Sequence, residues 1–205
     1  MKTTFFCVFV LFACRVWGQQ ADSLAVAREV DSLIRVSRTL THQGDFKGAL
    51  EINALAEKNT LERLDSATAV YANVCYNYGR IFEFQGNFIE SEKWYLESKN
   101  IRKKVLGKTH QDYALILGVL GTMYNQEGGN KVKAEQYFLE AREVQEKVFG
   151  KEHRYYALTT NNLGLVYLGM QKYALAEPLL LEAKTLFENT GSIKSRLLWK
   201  SGQPG

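Results

Sequence analysis

Three histidines and one cysteine are the residues of this 205-residue chain best suited to chemistry: His42, His110, His153 and Cys75. Histidine holds a metal when a second ligand sits at helical spacing, as in His-x3-His, or when carboxylates complete the set. No such pair occurs, and His110 and His153 fall in matching surroundings 43 residues apart. That placement makes them linker caps, not metal ligands. Cys75 is alone once Cys7 and Cys14 of the N-terminal segment are set aside. It can form no intramolecular disulfide and has no base beside it in sequence to make it a nucleophile. A small apolar core position suits it better. Gly107-Lys108 and Gly128-Gly129 lack the Gly-x4-Gly-Lys-Ser/Thr pattern of a phosphate loop. The glutamates from Glu135 to Glu146 mark a solvated helix face. Trp94, Tyr95, Tyr137 and Phe138 recur at a fixed spacing that fits core packing, not a stacking platform for bases. The expectation is a chain that is not an enzyme, with no cofactor and no metal.

Composition narrows the partners. Apolar residues make up 46% and charged residues 23%, which places the chain among globular proteins. The net charge is +4, and without Lys2 and Arg15 the rest carries 24 basic against 22 acidic groups, well mixed. That is no footprint for nucleic acid or for an anionic membrane. Pro178 and Pro204 are the only prolines, so helices can run uninterrupted. Residues 1–18, MKTTFFCVFVLFACRVWG, combine a basic start with an apolar run from Phe5 to Ala13. The run is short for a bilayer span and fits a signal peptide cleaved near Gln19. Leu11-Phe12-Ala13-Cys14 offers a competing lipoprotein box, so a membrane enters only through lipidation at Cys14. Either way the chain is expected to be exported: periplasmic, cell-surface or secreted.

Positioning comes from an internal repeat. The string from Lys104 to Ala114 returns 43 residues later as Lys147 to Ala157, and Gly44, Gly86 and Gly128 lie 42 apart, with Gln171 following. Seven residues before each landmark stands a small residue (Ser37, Gly79, Gly121, Gly164), and four before it a large apolar one (Leu40, Phe82, Tyr124, Tyr167). Small residues recur after the turn at Ala49, Ser91, Ala134 and Ala176, then at Ala56, Ser98, Ala141 and Ala183. Offsets alternating by three and four belong to one helical face. Gly44-Asp45-Phe46 and Gly86-Asn87-Phe88 supply the stop and restart. Each unit is helix–turn–helix, over residues 21–62, 63–107, 108–150 and 151–190.

These landmarks resemble the tetratricopeptide repeat family in its 42-residue, kinesin-light-chain-like form, as in exported bacterial proteins of this kind. The resemblance is carried by Leu163-Gly164-x-x-Tyr167, Gln171-Lys172-Tyr173, Ala176-Glu177-Pro178 and Leu181-Glu182-Ala183. Leu120-Gly121-x-x-Tyr124 with Ala134-Glu135, and Gly79-x-x-Phe82 with Ser91-Glu92, repeat them. The first unit departs most, with Ser37 for glycine and Asn53 where an aromatic is expected, which suits a capping repeat whose outer face meets water. The resemblance implies an all-α fold, a right-handed α-solenoid of about four helix-turn-helix repeats, with a concave surface lined by the first helix of each pair.

By that register the peptide-binding candidates are Asn73, Tyr76, Asn77, Arg80, Thr122, Asn125, Asn161 and Asn162, with Glu83, Leu115, Gly118, Leu158 and Leu165 beside them. Asparagine both donates and accepts, so it can hold an extended peptide backbone. Tyrosine and arginine are common binding anchors. The function implied is a non-catalytic interaction scaffold for a peptide or protein segment. Two rivals stand beside it. One is the truncated recognition arm of a larger protein with a C-terminal caspase-like (CHAT) protease domain; the other is self-association through the last helix. After Thr190 the repeat stops. A shifted frame permits Leu-Gly-x-x-Asn-Pro-Asp-Tyr-Tyr-Gly-Asn-Leu-Asp-Asn-Leu, which matches Leu106 to Leu120 at several places. Residues 191–205 are therefore expected to be a disordered, frameshifted tail.

Overall fold

In the computed structural model the backbone is described for residues 2–126 and 129–189, and side chains from residue 22 onward. Every regular element among these residues is an α-helix: α1 (Lys2–Gln43), α2 (Phe46–Arg63), α3 (Ala69–Phe84), α4 (Phe88–Val105), α5 (Gln111–Tyr124), α6 (Lys131–Phe149), α7 (Arg154–Gly169) and α8 (Tyr173–Asn189). The fold is all-α, of the α-solenoid class, with four helix–turn–helix hairpins. The chain divides into two compact units, residues 1–101 and 102–205. The first holds α1 to α3 and most of α4, the second the end of α4 and α5 to α8. Side chains of the expected leader, Cys14 included, lie outside the described residues, as does the tail 191–205. No helix among the described residues is long and apolar enough to cross a membrane.

The turns follow from backbone chemistry. Gly44 and Gly86 end α1 and α3 at φ +82° and +75°, a conformation in which any side chain is strained. The next helix restarts on an acceptor for its orphan N–H groups. Asp45 accepts from the Gly48 N–H at 2.9 Å, Asn87 from Glu90 at 3.3 Å and Asn130 from Lys133 at 3.0 Å. Linker glycines Gly107 and Gly150 take φ +85° and +82°. His110 and His153 then cap α5 and α7, each Nδ1 accepting a backbone N–H two residues on, from Asp112 at 3.1 Å and Tyr155 at 3.2 Å. Their repeat positions implied this capping.

At the last turn Gln171 adopts φ +59°, where the first two hairpins place Gly44 and Gly86. A left-handed conformation costs an L-residue roughly 1–2 kcal/mol. Gln171→Gly is expected to stabilise the second unit by about 0.5–1 kcal/mol, after the glycine's own entropy is subtracted. Thermal denaturation checks this, and a lower midpoint would contradict it.

Within a hairpin, the small residue of the first helix receives a large side chain of the second. A Cβ on Gly121 would lie 2.6 Å from Cδ1 and Cε1 of Phe138, and one on Gly164 would lie 2.8 Å from Leu180. On Gly79 it would overlap the Tyr95 ring. Tyr95 and Phe138 are 0% and 1% exposed, so neither ring can retreat into solvent. The first hairpin solves the same contact differently. Ser37 and Asn53 are both fully buried, Ser37 donating to the Ala49 carbonyl at 2.8 Å and Asn53 to the Val74 carbonyl at 3.2 Å. Where the ring is missing, glycine is no longer required.

The first unit's core gathers Val26, Val30 and Ile34 of α1, Ala56 of α2, and Val74 and Tyr78 of α3. Trp94 of α4 stacks on Tyr78 with centroids 4.4 Å apart. In the second unit, Ile116, Leu117, Leu120, Tyr156, Leu163 and Val166 are buried with Phe138. Two linker tyrosines bind the glutamate of the following second helix in the same way, Tyr113 donating to Glu140 at 2.7 Å and Tyr156 to Glu182 at 3.1 Å. Glu182 also receives both bonds of a fork from Arg142 Nη2, at 3.0 and 2.8 Å. This link between α6 and α8 was not foreseen from the sequence.

Candidate peptide-binding faces

In the first unit, α3 presents Asn73, Tyr76 and Arg80 at helical spacing, all partly exposed. They stand against α1, whose Asp31, Ile34, Arg35 and Arg38 line a cleft of about 300 Å³ together with Asn73. The Arg38 guanidinium lies 5.9 Å above the centroid of the Tyr76 ring, and Tyr76 packs in turn on Tyr95 at 5.5 Å. The Arg80 guanidinium lies 5.8 Å above the Phe84 ring. Burial lowers the proton affinity of Arg38, and the positive charge of Arg80 lowers it further. Arg38, Arg35 and Asp31 escaped the sequence reading. Their signal was present: Arg38 follows Ser37 as Arg80 follows Gly79.

Asn77 does not belong to this face. It is 0% exposed, and its Nδ2 donates to Ser37 Oγ and to Asn53 Oδ1, both at 2.9 Å. Its Oδ1 accepts from Arg38 Nε at 3.2 Å. The amide is spent inside the unit, joining α1, α2 and α3, and offers nothing to a peptide. Its influence outward runs through the Arg38 side chain that it holds.

In the second unit, α5 and α7 meet where Gly118 faces Thr159: a Cβ on Gly118 would be 3.7 Å from Thr159 Oγ1. Thr122, one turn beyond Gly118, is exposed and donates to the Gly118 carbonyl at 3.0 Å. Asn125 closes α5, its backbone N–H donating to the Gly121 carbonyl at 3.1 Å, so it marks the helix end. On α7, Asn161 and Asn162 are partly exposed, and their side-chain amides join each other at 3.4 Å. Leu158 lies one turn before them, partly exposed, and Leu165 one turn after, 44% exposed. Polar amides that can both donate and accept thus alternate with accessible apolar surface.

The chemistry of the remaining candidates is quiet. Cys75 is fully buried, and burial, helped by the charge of Glu97, pushes its thiol up to about 12. At pH 8 the thiolate fraction is then negligible. Iodoacetamide is expected to leave Cys75 unmodified in the folded chain and to modify it in urea, as read by peptide mass spectrometry. Rapid labelling without denaturant would contradict the core assignment. Among the described residues no group of three or more His, Cys, Asp or Glu side chains is placed to hold a metal ion. His42 instead meets Phe84 edge-on at 5.2 Å.

Comparison with known proteins places these hairpins. The tetratricopeptide repeat family model matches residues 68–138 and 129–189. Among solved structures, BtubC (BKLC) from P. vanneervenii is similar, at 19% identity and a TM-score of 0.69 over 86% of this chain and 66% of that one. A Podosopora anserina protein of nearly identical TPR-like repeats, of the kinesin light chain kind, gives 18% identity and a TM-score of 0.62 over 83% of this chain and 77% of that one. The chain therefore spans just under two thirds of the length of BtubC, and at these identities the likeness is one of fold. No curated protein matches the chain. With the family model covering more than half of the sequence and the hairpins repeating in kinesin-light-chain-like register, the chain belongs to the tetratricopeptide repeat family.

Proposed function

We propose that this chain is an exported, non-catalytic module that holds a peptide or protein segment against the first helices of its hairpins. Tetratricopeptide repeats are protein–protein interaction scaffolds, and the fold is generally non-catalytic. The observation that carries the reading is the Asn161–Asn162 pair. Among the described residues these two amides bond only to each other, at 3.4 Å, between Leu158 and Leu165. An extended segment laid on α7 would exchange that long bond for two backbone bonds while its side chains cover the leucines. Asn73, Tyr76 and Arg80 provide anchors of a second kind in the first unit, and Thr122 adds a hydroxyl on α5. Export rests on the basic, apolar and small-residue order of residues 1–18.

The test is selection of peptides from a displayed library by the immobilised full chain. Retention of a defined peptide set is expected with the native chain and loss of most of it with Asn161→Ala/Asn162→Ala, at unchanged helical circular dichroism. Equal retention by both proteins would reject the assignment of the α7 face.

A further inference from the structure

Three residues hold one place in successive repeats, the last position before a first helix begins: Thr68, His110 and His153. Each accepts a backbone N–H from the turn that it starts. Thr68 Oγ1 takes that of Tyr71 at 3.1 Å, His110 Nδ1 that of Asp112 at 3.1 Å and His153 Nδ1 that of Tyr155 at 3.2 Å. A hydroxyl oxygen accepts whatever the pH, whereas an imidazole nitrogen accepts only while it carries no proton. Imidazole is also the side chain whose charge ordinarily changes between pH 5 and 8. Protonation turns each acceptor into a donor facing a donor. It also sets a positive charge at the positive end of a helix dipole.

We propose that His110 and His153 make the second unit acid-sensitive: protonation releases the first turns of α5 and α7, while Thr68 leaves α3 of the first unit unresponsive. The sign follows from the bonds. Both caps are present while the imidazoles are neutral and are lost as the pH falls through the range in which they protonate. The surroundings offset part of that loss. Asp112 Oδ2 lies 3.9 Å from His110 Nδ1, so an imidazolium there gains an ion-pair partner. Against it stand Lys108, earlier in the same linker, and Arg102 of α4, which donates to the Asp112 carbonyl at 3.0 Å. His153 stacks on Phe149 of α6 with centroids 4.5 Å apart, and Tyr155 lies at 5.1 Å, ring faces that attract a cation. Its charged neighbours are Glu152 and Arg154 in sequence and Lys151, which pairs with Glu146 of α6 at 3.3 Å. None of these groups supplies an acceptor for the Asp112 or Tyr155 N–H, so the caps are lost all the same. The first turn of α7 also carries Tyr156, whose hydroxyl ties it to Glu182 of α8 at 3.1 Å. Leu158 and Asn161 follow on the same helix, so a segment held there is released on acidification; this consequence alone rests on the interaction reading above.

Hydrogen–deuterium exchange of the full chain is compared with that of His110→Thr/His153→Thr, which carries the first unit's own cap, at about pH 7.5 and 5.0. The two proteins are compared at equal pH, so the intrinsic pH dependence of exchange cancels. At the lower pH, amides of residues 111–115 and 154–158 are expected to exchange at least about fivefold faster in the native chain, the factor that loss of a typical cap gives. At the higher pH the two should agree within about twofold, and residues 69–73 should agree at both. Equal exchange at the lower pH, or a difference of the same size at both, would overturn the acid response. His110→Asn/His153→Asn, a second pair of caps that do not titrate in this range, repeats the test should the threonines disturb the linkers. A peptide retained by the native chain at the higher pH should elute at the lower one and stay on the threonine variant. Elution from both alike would overturn the link to the α7 face. Failure to retain any peptide would count against the interaction reading, while the exchange result still decides the acid response.

Discussion

Gly121→Val is expected to destabilise the second unit by about 3 kcal/mol, the upper end of the usual range for overpacking a core. The side chain would enter space held by Phe138, whose ring carbons lie 2.6–2.9 Å from the added Cβ alone. The ring is 1% exposed, so α5 and α6 must separate or the ring must leave its rotamer. In a unit of about 100 residues each kcal/mol shifts the midpoint by roughly 4–8 °C, so a fall of more than about 10 °C should be read by thermal denaturation. Gly118 on the same helix is the control. A Cβ there meets only Gln145 at 3.6 Å and Thr159 at 3.7 Å, ordinary contacts. Gly118→Ala should therefore be neutral, or stabilising by up to about 1 kcal/mol through helix propensity. Phe138→Ala alone costs about 3–5 kcal/mol as a cavity, and its combination with Gly121→Val should cost clearly less than the sum. Strict additivity would refute the direct contact.

Asn77→Ala is expected to destabilise the first unit by about 2–3 kcal/mol, well beyond a typical surface change. Its removal takes the donor from Asn53 Oδ1 inside a fully buried site, because both Asn53 and Asn77 are 0% exposed. An unpaired buried carbonyl oxygen costs about 1–3 kcal/mol, and the lost volume adds to it. Ser37 keeps its own bond to Ala49 and Asn53 its bond to Val74, while Arg38 Nε loses its acceptor, so the damage is confined to the amide pair and the Arg38 side chain. A cycle with Asn53→Ala should give a coupling of at least about 1 kcal/mol, measured by urea denaturation. Independent effects would mean that the three-helix network is not a unit. Asn162 shares the register of Asn77 yet lies partly exposed, so Asn162→Ala should change stability by less than about 0.5 kcal/mol.

That contrast explains how far the residues alone could be read. The hairpins were legible because packing imposes a period: Gly79, Gly121 and Gly164 must be small where Tyr95, Phe138 and Leu180 are large, and the turn glycines must reach positive φ. The linker histidines were legible for the same reason, as a copied string performs a copied task. Asn77 was misplaced because register assigns a face without saying what lies across from it. The first hairpin replaces the ring by Asn53 and the glycine by Ser37, and that paired change turns an exposed position into a buried one. Two polar residues at consecutive core landmarks were the available warning. Register alone does not bring Arg38 to notice, because α1 reads as a capping helix, although its register equals that of Arg80. The fork from Arg142 to Glu182 joins residues 40 apart, a pairing that charge patterning within one helix does not reveal.

The central claim is that the first-helix amides hold a partner's backbone. The direct measurement is the dissociation constant of one selected peptide for the native chain and for Asn161→Ala/Asn162→Ala, by fluorescence anisotropy at fixed salt. Two net hydrogen bonds of about 0.5–1.5 kcal/mol each predict weakening of roughly five- to a hundredfold, with identical circular dichroism. An unchanged dissociation constant would contradict the account.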